Sequence, residues 1–373
     1  MIYLDHNATT PLSPEVLATM RPYFEQHHGN PSSIHAAGRE TRAALDNARD
    51  QLASLLGCRP HELIFTSGGT EADNLAILGL ARRNSERGRH LITCATEHHA
   101  VLHAFEHLEK REGFRVTTLP VDAHGQLDPA ALLAAITPET TLVSIMSANN
   151  ETGVRQPVAQ LSALCRERGV LFHTDAIQSF GKDPLRVADF DALSLTAHKF
   201  YGPKGSGLLY LRGGLPIERT TYGGSHEGDR RAGTENVPAI VGLAHAAALA
   251  LSSMEGESAR QTQLRERLWS GIHTAAPSAI RNGQPADCLP NTLNVSFPGH
   301  DGESLLMNLD LSGIAASSGS ACMVGSIQPS HVLLAMGVAP AFAQATVRFS
   351  LGKSTTTAEI EDAIVRIARI FAR

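Results

Sequence analysis

Three clusters in the middle of the chain carry residues that could do chemistry, and each stands at the end of a short, mainly apolar run. The first, Thr66-Ser-Gly-Gly-Thr-Glu-Ala-Asp-Asn74, ends the run LIFTS and opens a stretch with helical character. Its two glycines allow close backbone approach, Thr70 offers a hydroxyl, and the N–H groups of a helix start favour an anion such as phosphate. An ordinary capped helix, with Thr70 as the cap, would use the same residues. The second is VLFHTDAIQS, with Asp175 and Gln178 at its end. An aspartate there is usually a helix cap or a solvated loop residue; the functional reading is a carboxylate that keeps a cofactor's ring nitrogen protonated, making the ring an electron sink. The third is LSLTAHKFYGPKG, where Lys199 follows an apolar run and precedes a glycine-rich turn. Most lysines are solvated; one beside Thr196 and His198 at this point could be desolvated enough to form a Schiff base. Lys204 competes for that role, but within GPKGSG we expect it to be exposed.

A phosphate cradle, a ring-nitrogen carboxylate and a Schiff-base lysine, in this order, describe a pyridoxal 5'-phosphate site. A nucleotide P-loop is excluded: before Gly352-Lys353-Ser354, Val347 stands where the first glycine would be. GPKGSG also lacks the dinucleotide glycine spacing.

The elements that must position these residues follow from periodicity. LIFTS, HLITCAT, RVTTLPV, TLVSIMSA, VLFHTDA, ALSLTA and GLLYLR read as strands. Amphipathic stretches at Ala72–Arg83, Val101–Arg111 and Val158–Arg168 alternate with them, which implies a mainly parallel sheet covered on both faces. In such folds ligands gather beyond the carboxyl ends of the strands. After Gly214 the alternation stops. We expect a helix over about Val237–Met254, a second over Ser258–Ala275, strands TLNVSF and ATVRFSL, and a last helix from Thr357 to Ala372. These form a smaller α+β domain to which the first residues return.

The bulk composition agrees with an enzyme. The 373 residues are 42% hydrophobic and 18% charged, with a net charge of -5, which argues against a basic nucleic-acid binder. Val237–Met254 reads as a buried helix rather than a membrane span. MIYLDHNATT has neither the basic nor the apolar region of an export signal, so a cytoplasmic protein is expected. Five dispersed cysteines, Cys58, Cys94, Cys165, Cys288 and Cys322, form no C-x-x-C pair and fit a reducing compartment. His99, His103 and His107 recur on one helix face, but no H-E-x-x-H pattern supports zinc, and we expect no metal.

The chain resembles the class V aminotransferase family, specifically its cysteine desulfurases. The similarity runs through YLDHNATTPL, GNPSSIH, FTSGGTEADN, TEHHAV, NNETGV, HTDAIQSFGK, AHKFYGPKG, RRAGTENV, SSGSAC and VRFSLG, in the family's order and over nearly the whole chain. This implies an α/β fold of the fold type I pyridoxal-phosphate class. A large domain (13–255) would carry a mainly parallel seven-stranded sheet, and a smaller α+β domain (1–12 and 256–373) would carry Cys322.

By resemblance, Lys199 carries the cofactor, Asp175 pairs with its ring nitrogen and Gln178 with its phenolic oxygen. His98, rather than its neighbour His99, stacks on the ring and serves in proton transfer. Gly69, Thr70, Thr196 and His198, with Ala197 among them, hold the phosphate. Thr234 reaches it from the partner subunit, which implies a homodimer. Asn150 and Arg348 orient the substrate. Thr196-Ala197 replaces the family's frequent Ser-Gly before His-Lys, but the hydroxyl is retained. Cys322 follows Ser317-Ser-Gly-Ser-Ala321, small residues that resist packing and would leave its thiol able to reach a substrate. The resemblance then implies conversion of L-cysteine to L-alanine with sulfur left on Cys322 as a persulfide, and the other four cysteines are structural. The sulfur would pass to an iron–sulfur scaffold or a tRNA-thiolation enzyme. Ending at Ile370-Phe-Ala-Arg373, the chain lacks the tail by which many relatives dock a scaffold, which makes the second acceptor comparably expected. A selenocysteine lyase, another class V enzyme such as a transaminase, and a non-catalytic sulfur carrier are the alternatives.

Overall fold

The computed structural model describes residues 1–318 and 329–372. The strands are β1 (Ile2–Tyr3), β2 (Leu63–Thr66), β3 (His90–Cys94), β4 (Arg115–Leu119), β5 (Thr140–Ser144) and β6 (Leu171–Asp175). They continue as β7 (Ala192–Thr196), β8 (Gly207–Leu211), β9 (Ile280–Asn282), β10 (Thr292–Ser296), β11 (Ile314–Ala315) and β12 (Thr346–Ser350). Seven of them form the central sheet, in the order β2-β8-β7-β6-β5-β3-β4. The pairings from β7 through to β4 are parallel, while β8 runs antiparallel to both β2 and β7. All strands but β8 therefore point the same way, and the ends of β2, β6 and β7 open onto one edge.

Alternation along the strands explains the two covered faces. Leu63, Phe65, Ile92, Val143, Phe172, Leu193, Leu195 and Leu208 belong to one core. Their neighbours Ile64, Leu91, Leu142, Leu171, Ala192 and Leu209 belong to the other. Side chains at successive strand positions point to opposite faces, so a sheet apolar at both must be sandwiched by helices. The helices Gly69–Arg83 and His99–Glu112 cover one face. Ala36–Leu56, Val158–Glu167 and the first half of Val237–Ala275 cover the other. Each fully buried side chain of this kind contributes about 1.5–3 kcal/mol.

A third core lies outside this sandwich. It joins Leu293 and Val295 of β10, Val347 and Phe349 of β12, and Ile360 and Ile367 of the C-terminal helix Thr357–Phe371. The sheet β12-β10-β9 is antiparallel, and β1 pairs in parallel with β11, which brings the chain start into this unit.

One expectation fails. The two helices read after Gly214 are a single 39-residue helix, Val237–Ala275. Ser252, Ser253, Gly256 and Ser258 interrupt the apolar period, but no proline follows Pro238, and an interior glycine costs only about 1 kcal/mol. Packing offsets that cost at both ends: Ile240 and Leu243 enter the sandwich core, while Leu264, Leu268 and Ile272 enter the third core. The helix is long and apolar enough to span a membrane, yet half of its most apolar window is buried within the fold.

Candidate active site

A cavity of about 280 Å³ opens where the carboxyl ends of β2, β6 and β7 meet the third core's unit. That is near the lower bound of small-molecule pockets, about 300 Å³. Gly69, Thr70, His98, Asn150, Asp175, Gln178, Thr196, His198, Lys199 and Arg348 all line it.

The anion end is built by the turn after β2. Gly68 is extended at the helix N-cap and no side chain caps the helix, so its first N–H groups remain available to an anion. Thr70 is therefore not the cap; it sits in the first turn, at the cavity. A Cβ on Gly207 would stand 2.6 Å from the Gly68 backbone, so only glycine lets β8 pass so close beneath this turn. Glu71 braces it, accepting from the Ser67 N–H (2.6 Å) and from Arg231 (2.6 Å). Across the cavity, the Thr196 hydroxyl donates to the Ser206 carbonyl (3.1 Å), and buried Ala197 begins a short turn ending at Lys199. His198 meets Thr9 through Nδ1 (3.1 Å); burial and then the charge of Lys199 push its pKa down to about 4, so the ring is neutral.

The basic and acidic groups lie deeper. Lys199 Nζ donates to the carbonyls of Asn7 (2.5 Å) and Ala8 (2.8 Å). Lys204 is exposed. Asp175, at the end of β6, is 4% exposed and accepts from the Ile177 N–H at 2.8 Å. Burial pushes its pKa up to about 6, against the pull of that N–H and of Lys199. Gln178 donates to the Asn7 carbonyl (3.0 Å), while its buried Oε1 has no hydrogen-bond partner among the described residues.

His98 and His99 are separated cleanly. His98 caps the helix His99–Glu112, its Nδ1 accepting from the Ala100 N–H (3.1 Å), and burial with the nearby Lys199 charge holds its pKa at about 4. His99 instead packs against His103 and His331, with ring centroids 5.0 and 4.7 Å away. Among the described residues no three His, Cys, Asp or Glu side chains are grouped to hold a metal ion.

At the opposite wall Arg348, on β12 and 3% exposed, donates to the Asn150 carbonyl (3.0 Å) and pairs with Asp5 (2.9 Å). Exchange of Asp5 for a substrate carboxylate would keep the fork-like guanidinium satisfied. Thr234 does not reach this cavity. It is exposed on the irregular segment before the long helix, tied to the Gly69–Arg83 helix by Arg231–Glu71 and to β2 by Glu227, which accepts from Phe65 N–H (3.0 Å) and Arg49 (2.6 Å). Cys322 lies outside the described residues. The described chain on either side is anchored at the cavity rim: Ser317 pairs with the Arg348 backbone, and Ser330 donates to Glu151 (2.5 Å).

Asn7, Ala8, Asp73, Met146 and Ile177 also line the cavity but were not singled out as site residues. Asp73 had a readable signal. It stands on the apolar stripe of its helix with Ala76, Ile77 and Leu80, where a carboxylate needs a reason. Asn7 had none, since its contribution is a backbone carbonyl.

The donor set fits pyridoxal phosphate. An uncapped helix start suits the phosphate, a buried carboxyl the ring nitrogen, an orphaned carboxamide the ring's oxygen edge, and a part-buried amine the aldehyde.

The class-V aminotransferase family profile matches residues 2–362. The cysteine desulfurase IscS of Dictyoglomus turgidum is 46% identical over 100% of this chain and 95% of its own length. The cysteine desulfurase of Mus musculus is 47% identical over 96% of this chain and 79% of its own length. A solved NifS-like protein superposes with a TM-score of 0.94 at 37% identity, covering 100% of this chain and 99% of its own. A structure of SspA in complex with cysteine gives 0.83 at 37% identity, covering 94% and 99%. The chain belongs to the class V aminotransferase family and, within it, to the cysteine desulfurases.

Proposed function

We propose that this chain holds pyridoxal phosphate on Lys199 and converts L-cysteine to L-alanine, leaving the sulfur on Cys322. The observation that carries the reading is the meeting of an uncapped helix start, Asp175 and Lys199 in one cavity. When bound, the cofactor draws electrons from the substrate's α-carbon. Every other task falls to the chain. Arg348 and Asn150 orient the substrate carboxylate, Asp175 holds negative charge at the ring-nitrogen end, and Lys199, as a neutral amine, takes the α-proton. His98 is neutral at physiological pH, and with Nδ1 accepting from the Ala100 N–H its Nε2–H is the group it offers at the cavity.

The Cys322 thiolate attacks the substrate's sulfur: an S–S bond forms as the Cβ–S bond breaks, the β-carbon takes a proton to become the methyl of alanine, and Lys199 returns the proton to the α-carbon. The remaining cysteines are poor candidates. Burial raises Cys94 and Cys58 to about 11 and Cys165 to about 12, and raises Cys288 as well. Nucleophilic cysteines need the thiolate. The rim anchors at Ser317 and Ser330 support Cys322 as the residue served by this cavity.

The reading extends to a cytoplasmic homodimer in which Thr234, exposed away from its own cavity, completes the partner's phosphate site. The persulfide passes to an iron–sulfur scaffold or a tRNA-thiolation enzyme. The large domain would be 13–255 and the small one 1–12 with 256–373, a division that crosses the continuous helix Val237–Ala275. The test is product analysis on cofactor-loaded protein: alanine and sulfide from L-cysteine plus reductant support the reading. Alanine from selenocysteine but not from cysteine would replace it with a lyase, and a keto acid product with a transaminase.

A further inference from the structure

Asp73 is a buried acid to which the reaction above gives no task. It sits in the second turn of the helix Gly69–Arg83, is 0% exposed and lines the cofactor cavity. Neither carboxyl oxygen has a hydrogen-bond partner among the described residues. The nearest basic group is His173 of β6, whose Nε2 is 3.7 Å from Asp73 Oδ1. That ring is already engaged at both nitrogens, by Ser144 Oγ at 2.8 Å and Ser194 Oγ at 2.9 Å. It is fully buried and its pKa is pushed down to about 3, so it offers no positive charge. A fully buried carboxylate with no more than a neighbouring hydroxyl to solvate it is strongly disfavoured, and such a group takes up a proton instead.

The surrounding charges push the same way. Asp175 on β6 and Glu97, before the helix His99–Glu112, are buried acids whose charges act on Asp73. Burial first, then Asp175, hold Asp73 well above the usual carboxylate range, and the neighbouring Ser194 hydroxyl offsets only part of this. Glu97 is raised as well, by burial, although it accepts from the Met146 N–H at 2.6 Å. The ammonium of Lys199, beyond β7, lowers the pKa of Asp175. Of neighbouring carboxyls that cannot both ionise cheaply, the one with an N–H donor and a nearby ammonium takes the charge.

We propose that Asp73 is a positioning residue of the cofactor site: kept as a neutral acid, it leaves Asp175 as the ionised one of the two carboxyls that line the cavity and so fixes the negative charge at the ring-nitrogen end. The inference rests on reading Asp175 as the ring-nitrogen partner. The two carboxyls that line the cavity then carry a single charge, as in other sites where neighbouring carboxyls cannot both ionise. Asparagine at position 73 reproduces the neutral acid in shape and charge, whereas leucine removes its polarity.

The test compares Asp73→Asn, Asp73→Leu and Asp175→Asn with the wild type, by infrared spectroscopy of the apoprotein and by pyridoxal phosphate affinity and pH-dependent visible absorption. The proposal expects Asp73→Asn to remove one protonated-carboxyl C=O band. It should leave cofactor affinity within about threefold and the pH midpoint of the visible band unchanged, while Asp175→Asn weakens binding by about 100-fold. Asp73→Leu should shift that midpoint, with asparagine rescuing it. An unchanged infrared spectrum in Asp73→Asn, or a loss of affinity matching that of Asp175→Asn, overturns the proposal. A wild-type chain that takes up no cofactor overturns the reading of the site instead, and the two failures are separable because the infrared arm needs no cofactor.

Discussion

The two walls of the cavity are built on different principles. The wall made by the central sheet holds its polar groups at strand ends, fixed by backbone: Asp175 on the Ile177 N–H, Thr196 on the Ser206 carbonyl, Lys199 on the carbonyls of Asn7 and Ala8. The wall made by the β12 unit offers Arg348, held in part by an ion pair with Asp5, which on the proposed reading a substrate carboxylate would replace. Permanent partners suit a cofactor that stays, and an exchangeable partner suits a substrate that comes and goes. The division also separates affinities: changes on the first wall should weaken the cofactor, and changes on the second should weaken the substrate alone.

The sharpest break is expected at Lys199. Lys199→Ala should lower alanine release from cysteine by at least about 10³-fold, since both the cofactor anchor and the proton acceptor are lost. Asp175→Asn comes next, with about 100-fold losses in both cofactor affinity and turnover, measured by cofactor titration and product assay. Arg348→Lys should raise KM for cysteine about 10- to 100-fold while leaving cofactor affinity in place, because a point charge cannot replace a bidentate fork. If Arg348→Lys weakened the cofactor as strongly as Asp175→Asn, the division between the walls would fail.

The smallest effect concerns stability. His173 has a folded pKa of about 3, below the usual value of about 6.5. The unfolded chain therefore binds this proton first. The stabilisation is present above pH 6.5 and is lost as pH falls toward 3, by up to about 1.4 kcal/mol per pH unit. Denaturant unfolding of His173→Gln should show a shallower loss of stability below pH 6.5 than the wild type; equal slopes would contradict the assignment.

Much of this was legible in the sequence because burial on both faces writes itself into a strand. β6 and β7 each open with apolar residues on both faces, Leu171 with Phe172 and Ala192 with Leu193, and their ends mark Asp175 and Lys199. The helix Val237–Ala275 was misread because the serines and Gly256 weaken the local signal, while the packing that carries the helix across them comes from two separate cores. Asp73 was legible in principle, as a charge on an apolar helix face. Asn7 and Ala8 were not, since a carbonyl that holds Lys199 from across the chain leaves no mark on side-chain identity. Residue types alone do not separate His98 from His99; the resemblance selects His98, and in the fold His98 lines the cavity while His99 packs toward His331.

The central claim is that sulfur leaves cysteine through Cys322 while the cofactor site stands independently of that thiol. Its most direct measurement is persulfide formation and alanine release by Cys322→Ala beside the wild type, both loaded with cofactor and given L-cysteine. The account predicts that the variant binds cofactor and cysteine as the wild type does, yet forms no persulfide and releases almost no alanine. Desulfuration by Cys322→Ala at the wild-type rate would contradict it.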